Sequence, residues 1–122
     1  MAGLITDATT DASGYDFAGI LELVGGDHDF LEEFVAVFDQ DASRLVEEMR
    51  RAAGDFDLGA LSRPVHSLKG LMSHFGDSPA MEHCRALESF GSGDDRGVVA
   101  GLAESLAGEV DRIRRALADL AA

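Results

Sequence analysis

Apolar residues in this chain return at intervals of three and four, stretch after stretch, and that rhythm restricts it to helices. The clearest run is Leu58, Leu61, Val65, Leu68, Met72 and Phe75, at steps of 3, 4, 3, 4 and 3. A second is Val99, Leu102, Leu106, Val110, Ile113, Leu117 and Leu120. Phe30, Phe34, Val37, Phe38, Leu45 and Met49 mark a third, with Asp41 beside Ala42 where the stripe should continue. Asp41 is therefore expected at an exposed end of the fold. Ala80, Cys84 and Leu87, with Met81 beside them, form the inward side of a fourth helix. A shorter leading helix begins near Tyr15 and uses Phe17, Ile20, Leu21 and Val24. Alternating Val/Ile/Thr runs are missing, there is no Trp, and only two Pro occur, which disfavours an all-β fold.

Turn chemistry separates these runs. Gly25-Gly26 stops the leading helix and Asp27 is placed to cap the next, which should end by Gly54. Asp55 or Asp57 caps the following helix, and Gly76 stands where a left-handed C′ residue belongs. Pro64 lies inside that run, removes a hydrogen bond to the Ala60 carbonyl, and should kink the helix or delay its start. Ser78-Pro79 is an N-cap serine followed by proline at the first helical position. Gly91-Ser92-Gly93 ends that helix, and Asp94 or Asp95 caps the last. Short connections favour antiparallel neighbours. The expected fold is all-α: an antiparallel up-down four-helix bundle with a short additional N-terminal helix, over residues 14–122. Residues 1–13 are small and polar without a period, and read as a flexible tail.

The formal net charge of −13 opposes nucleic acid and anionic lipid as partners, because both are polyanions. No apolar run approaches the roughly 18 residues of a membrane span, and the start lacks the basic and apolar blocks of a secretory signal. A single cysteine, Cys84, suits a reducing compartment and therefore the cytoplasm. The absence of a linker after Ala122 favours a free-standing protein. No Walker-type glycine motif occurs, and 122 residues leave no room for a separate ATP domain, so neither ATP hydrolysis nor self-phosphorylation is expected. His74, His83 and Cys84 lack the paired spacing of a closed metal site. Cys84 reads as a small buried hydrophobe and His28 as a solvated residue beside the Asp27 cap.

One face remains unexplained by the core. Ser62, His66, Lys69, Gly70 and Ser73 lie at helical spacings on one side of the 58–75 run. The face holds a titratable nucleophile, a cation one turn on, and a residue without a side chain. A mid-helix glycine weakens a helix unless something needs the room. The combination suits an exposed histidine that another protein must approach closely.

His66-Ser67-Leu68-Lys69-Gly70, then Phe75-Gly76, then Cys84-Arg85-Ala86-Leu87-Glu88, resembles the histidine-containing phosphotransfer (HPt) domain family. The landmarks are His-x-Leu-Lys-Gly, a glycine ten residues after the histidine, and a Leu-Glu pair 21 and 22 after it. The resemblance covers about residues 15–120. It implies a phosphocarrier of a His-Asp phosphorelay rather than an enzyme. It further implies His66 as phospho-acceptor, Lys69 as support for the phosphoryl group, and Gly70 as clearance for a docking receiver, with Ser62 and Ser73 on the docking surface. Glu88 matches by spacing a glutamate that hydrogen-bonds the histidine in chemotaxis-kinase-type members. The implied partners are a response-regulator receiver domain and a histidine kinase. No cofactor is expected on this chain, since Mg²⁺ belongs to the receiver, and nothing demands more than a monomer.

The chemistry agrees with that implication. Neutral imidazole, with a reference pKa of about 6.5, is a good nucleophile toward an acyl phosphate near pH 7. Attack by Nε2 leaves Nδ1–H needing an acceptor, which a carboxylate such as Glu88 would supply. The family has small residues after the glycine, whereas this chain has Leu71, Met72 and His74, with only Ser73 small. That bulk motivates an alternative: a four-helix interaction module that binds and regulates a receiver or kinase without being phosphorylated.

Overall fold

The computed structural model describes residues 15–89 and 95–122. Five α-helices form: α1 (Ala18–Val24), α2 (His28–Gly54), α3 (Leu58–Met72), α4 (Pro79–Glu88) and α5 (Arg96–Ala121), with a 3₁₀ turn at Ser73–Phe75. Among the described residues there is no β-strand. The Gly91-Ser92-Gly93 stop, Asp94 and the 1–13 segment lie outside the described residues.

The helix starts follow the capping chemistry. Asp27 Oδ1 accepts from the Phe30 amide, and Asp57 Oδ1 from that of Ala60. Ser78 Oγ accepts from the Met81 amide ahead of Pro79. Asp95, rather than Asp94, caps α5 by accepting from the amides of Gly97 and Val98. Gly25 ends α1 in the left-handed conformation. Gly76 has a positive φ of 78° but an extended ψ of −171°, so it turns the chain out of the 3₁₀ segment instead of closing a left-handed cap. Helix α3 starts at Leu58 and continues through Pro64, so the proline does not delay it. Pro64 itself is buried.

The four longer helices contact one another in a closed ring: α2 with α3, α3 with α4, α4 with α5, and α5 with α2. Helix α1 rests on the 3₁₀ turn and on α2. The core inside the ring comes from Leu61, Val65, Leu68 and Met72 of α3 and from Val99, Leu106, Val110, Ile113 and Leu117 of α5. Ala80, Cys84 and Leu87 face inward from α4 as their spacing requires.

The α2 stripe differs from its expected composition. Phe30 and Val37 are exposed, and Leu31 takes the buried position. The buried face continues through Phe38, Ala42, Leu45, Met49, Ala52 and Ala53. Ala42, not Asp41, carries the stripe across the middle of the helix. Half-buried Asp41 faces Arg44 within α2 at 3.9 Å and does not mark an end of the fold. Phe34 leaves the main stripe and stacks on Phe38.

Polar ties cross the ring. Arg50 holds Glu104 with two hydrogen bonds, and Arg114 holds Asp39, joining α2 to α5 twice. Tyr15, wholly buried, donates its hydroxyl to Glu109 Oε2 at 2.6 Å. Burial first, and the neighbouring Glu109 carboxylate second, hold that hydroxyl firmly protonated. His28 is not merely solvated: Nε2 lies 2.6 Å from the Ala121 carbonyl and Nδ1 lies 3.5 Å from Glu32.

Candidate functional site

Helix α3 buries Leu61, Val65, Leu68 and Met72, and this fixes which of its sides is left outside. His66 lies on that outer side with its side chain 76% exposed. The α3–α4 connection brings the last residue of α4, Glu88, back alongside it. Glu88 Oε2 lies 3.4 Å from His66 Nδ1, a long contact. Its Oε1 accepts a hydrogen bond of 2.8 Å from Lys69 Nζ. Lys69 chiefly holds the Glu88 carboxyl below the ordinary carboxylate range; burial opposes it, and His66 adds a smaller lowering effect.

His66, Lys69 and Glu88 therefore form one cluster, with Lys69 and not His66 as the closer partner of the carboxylate. A carboxylate facing the Nδ1 edge of a neutral imidazole favours the tautomer with the proton on Nδ1. Nε2 then carries the lone pair. That is the geometry of an accessible nucleophile beside a buttressed ring.

Gly70 lies on the same side, and a Cβ added there would meet nothing within 4 Å beyond its own helix. The missing side chain is thus not required by the packing of this chain. Ser62 is exposed and lines a hollow with Leu58, Gly59, Leu61, Leu87 and Glu88. Ser73 is exposed, but its hydroxyl donates back to the Gly70 carbonyl at 2.6 Å and is committed to the end of α3. Met72 is wholly buried and takes no part in this surface. Leu71 is half-buried against the core, and the His74 ring stands edge-on to Phe34 at 6.2 Å. The bulk after Gly70 is thereby largely turned inward or onto α2.

Cys84 lies one turn before Glu88 and is wholly buried. Burial, and then Glu88, push its thiol up to about 12. Among the described residues, one group of side chains converges closely enough to suggest a cation: His28, Asp29 and Glu32, all exposed. It does not involve His74, His83 or Cys84.

The family described as Hpt domain matches residues 33–122. The chain belongs to this family. Hpt domains are histidine phosphotransfer modules of two-component signalling, phosphocarriers rather than catalytic enzymes, and they work with receiver domains and kinases. The matched residues contain all of α3 and α4, hence the whole His66–Lys69–Glu88 cluster, whereas α1 lies outside them. No curated protein and no solved structure matches the chain. No helix of this Hpt domain, among the described residues, is long and apolar enough to cross a membrane.

Proposed function

We propose that this Hpt domain accepts a phosphoryl group on Nε2 of His66 from a receiver aspartate, or from a kinase domain, and passes it to a response regulator. The observation that carries the reading is the exposed His66 ring with its Nδ1 edge toward Glu88. In the accepting step, the Nε2 lone pair forms the N–P bond as the bond from phosphorus to the aspartyl oxygen breaks. The aspartate leaves as carboxylate, and the proton on Nδ1 stays. Positive charge develops on the ring, facing the Glu88 carboxylate. Transfer of this kind depends on in-line approach and charge neutralisation more than on bond-making by the protein.

Lys69 supports the phosphoryl group in this reading, and Glu88 orients the imidazole. Ser62, Gly70 and Ser73 belong to the receiver-docking surface, Gly70 by leaving room. The working unit is residues 14–122, an up-down antiparallel bundle with a leading helix, acting as a cytoplasmic monomer. Its own residues hold no cofactor, and the receiver brings Mg²⁺. The closed ring of contacts and the short α3–α4 connection support that topology. The alternative of an unphosphorylated binding module loses much of its support, because Met72 is buried and Leu71 turns toward the core.

The test mixes the purified chain with a phosphorylated receiver and Mg²⁺ and measures acid-labile, alkali-stable phosphate. Label is expected on the wild type and not on His66→Gln. Equal label on both would remove His66 from the mechanism. No label with any receiver, on a folded protein, would leave a binding module.

A further inference from the structure

Positive charge is scarce in this chain, with ten Lys+Arg against 23 Asp+Glu. Nearly all of it is engaged. Eight of the ten cations lie within 4 Å of a carboxylate. Arg96 lies over the Phe56 ring at 5.3 Å. Among the described residues Arg63 alone has neither kind of partner, and it is exposed. It stands three residues before His66 on α3, a spacing that sets two β-carbons about 5–6 Å apart on one side of a helix.

The two sides of His66 are not equivalent. On the α4 side stands Lys69, bound to Glu88 at 2.8 Å. Glu88 offsets part of that charge, so the support Lys69 gives an incoming phosphoryl dianion leaves room for a further, uncompensated cation. On the α2 side stands Arg63, lining a hollow with Arg51 and Ala52 of α2. Glu48, Asp55 and Asp57 line the same hollow, yet none lies within 4 Å of the Arg63 guanidinium. These carboxylates would repel a phosphoryl group approaching from that side unless a cation stood between. Gly70 flanks the same side of the ring and leaves it open.

We propose that Arg63 is a second contact for the phosphoryl group on His66, its guanidinium donating to the phosphoryl oxygens from the α2 side, opposite Lys69. The proposal rests on the reading of His66 as acceptor. A guanidinium suits the task because its planar fork donates two parallel hydrogen bonds to adjacent oxygens and never loses its charge near neutrality. Its long side chain reaches across one helical turn without moving the backbone.

The experiment needs no partner protein. Phosphoramidate loads the full chain directly: the N–P bond to His66 Nε2 forms as the P–N bond to ammonia breaks, ammonia leaves, and Nδ1 keeps its proton. The phosphohistidine is then titrated by ³¹P NMR in wild type, Arg63→Gln, Arg63→Lys and Arg115→Gln, the last an exposed control on α5 paired with Asp111. A contacting guanidinium favours the dianion, so Arg63→Gln should raise the phosphoryl pKa by about half a pH unit. Arg63→Lys should fall between, and Arg115→Gln should match wild type. An Arg63→Gln titration that superimposes on wild type overturns the proposal while leaving His66 as acceptor. A chain loaded on His66 that exchanges phosphate with no receiver defeats the relay reading and leaves the Arg63 contact standing. A chain whose His66 takes no phosphate from phosphoramidate defeats both.

Discussion

Lys69 and Glu88 are joined at 2.8 Å across the α3–α4 groove, and the other oxygen of the same carboxylate faces His66 Nδ1. One carboxylate thus serves a cation and a nucleophile at once. The cation has the shorter contact, so the acidity of Glu88 is set mainly by Lys69. His66 gains orientation rather than a strong hydrogen bond.

Glu88→Gln should therefore slow phosphoryl transfer to His66 only modestly, by about 3–5-fold, in line with the up to about 1 kcal/mol of an exposed charged contact. The folded Glu88 value is lowered, so the pair is intact above the ordinary glutamate value of about 4.3 and is lost only as pH falls through the lowered value. Glu88 itself should accordingly add no step to the transfer profile between about pH 6 and 8, where it stays ionised. A step in wild type below about pH 6 that is missing from Glu88→Gln is expected; the same step found above about pH 6 would contradict a lowered Glu88.

Gly70 separates docking from stability. Its would-be Cβ meets open space, so Gly70→Ala should raise helix stability by about 0.5–1 kcal/mol, read as a higher Tm. Gly70→Gln should keep the fold and the loading by phosphoramidate but slow transfer from a receiver at least tenfold. Transfer at wild-type speed would mean that the receiver does not approach over Gly70.

Tyr15→Phe removes the hydroxyl that donates to Glu109 and should cost about 1–2 kcal/mol in chemical denaturation. The folded Tyr15 value is raised, so its contribution is complete below the unfolded tyrosine value near 10 and declines as pH rises above it. Wild type should lose stability more steeply than Tyr15→Phe above about pH 10. Identical alkaline slopes would contradict that assignment.

Cys84 should report unfolding. Wholly buried and pushed up to about 12, the thiol carries almost no thiolate at pH 8. Thiol reagents should label it at the rate of global opening and rapidly in denaturant. Fast labelling of the native chain would mean that α4 opens locally.

How much of this was legible in the sequence depended on whether one helix sufficed to decide the matter. Asp27, Asp57, Ser78-Pro79 and Asp95 announce helix starts because a cap is satisfied within three residues. The shared side of His66, Lys69 and Gly70 follows from the pitch of α3 alone. The stripe of α2 is ambiguous in the sequence because Phe30, Phe34 and Val37 satisfy helical spacing as well as Leu31, Phe38, Ala42 and Leu45 do. Only the neighbouring helices decide between two such stripes, and they select the one rich in alanine, which permits close approach. The Lys69–Glu88 pair could not be read either, since it depends on how α4 returns along α3. The long Glu88–His66 contact follows from the same packing. The spacing of Arg63 from His66 is visible in the sequence but does not distinguish it. Only the absence of a carboxylate partner sets it apart from the other arginines.

The ring of helices closes where α2 meets α5, two segments separated by the whole stretch from Asp55 to Asp95. Closing so long a loop carries an entropic cost that must be met before the α2–α5 contacts form, whereas α3 and α4 meet across residues 73–78 alone. The hairpin bearing His66 thus lies within the loop and can assemble as a local unit. The outer pair should therefore close last, and in pulse-labelled hydrogen exchange its amides should gain protection after those around His66.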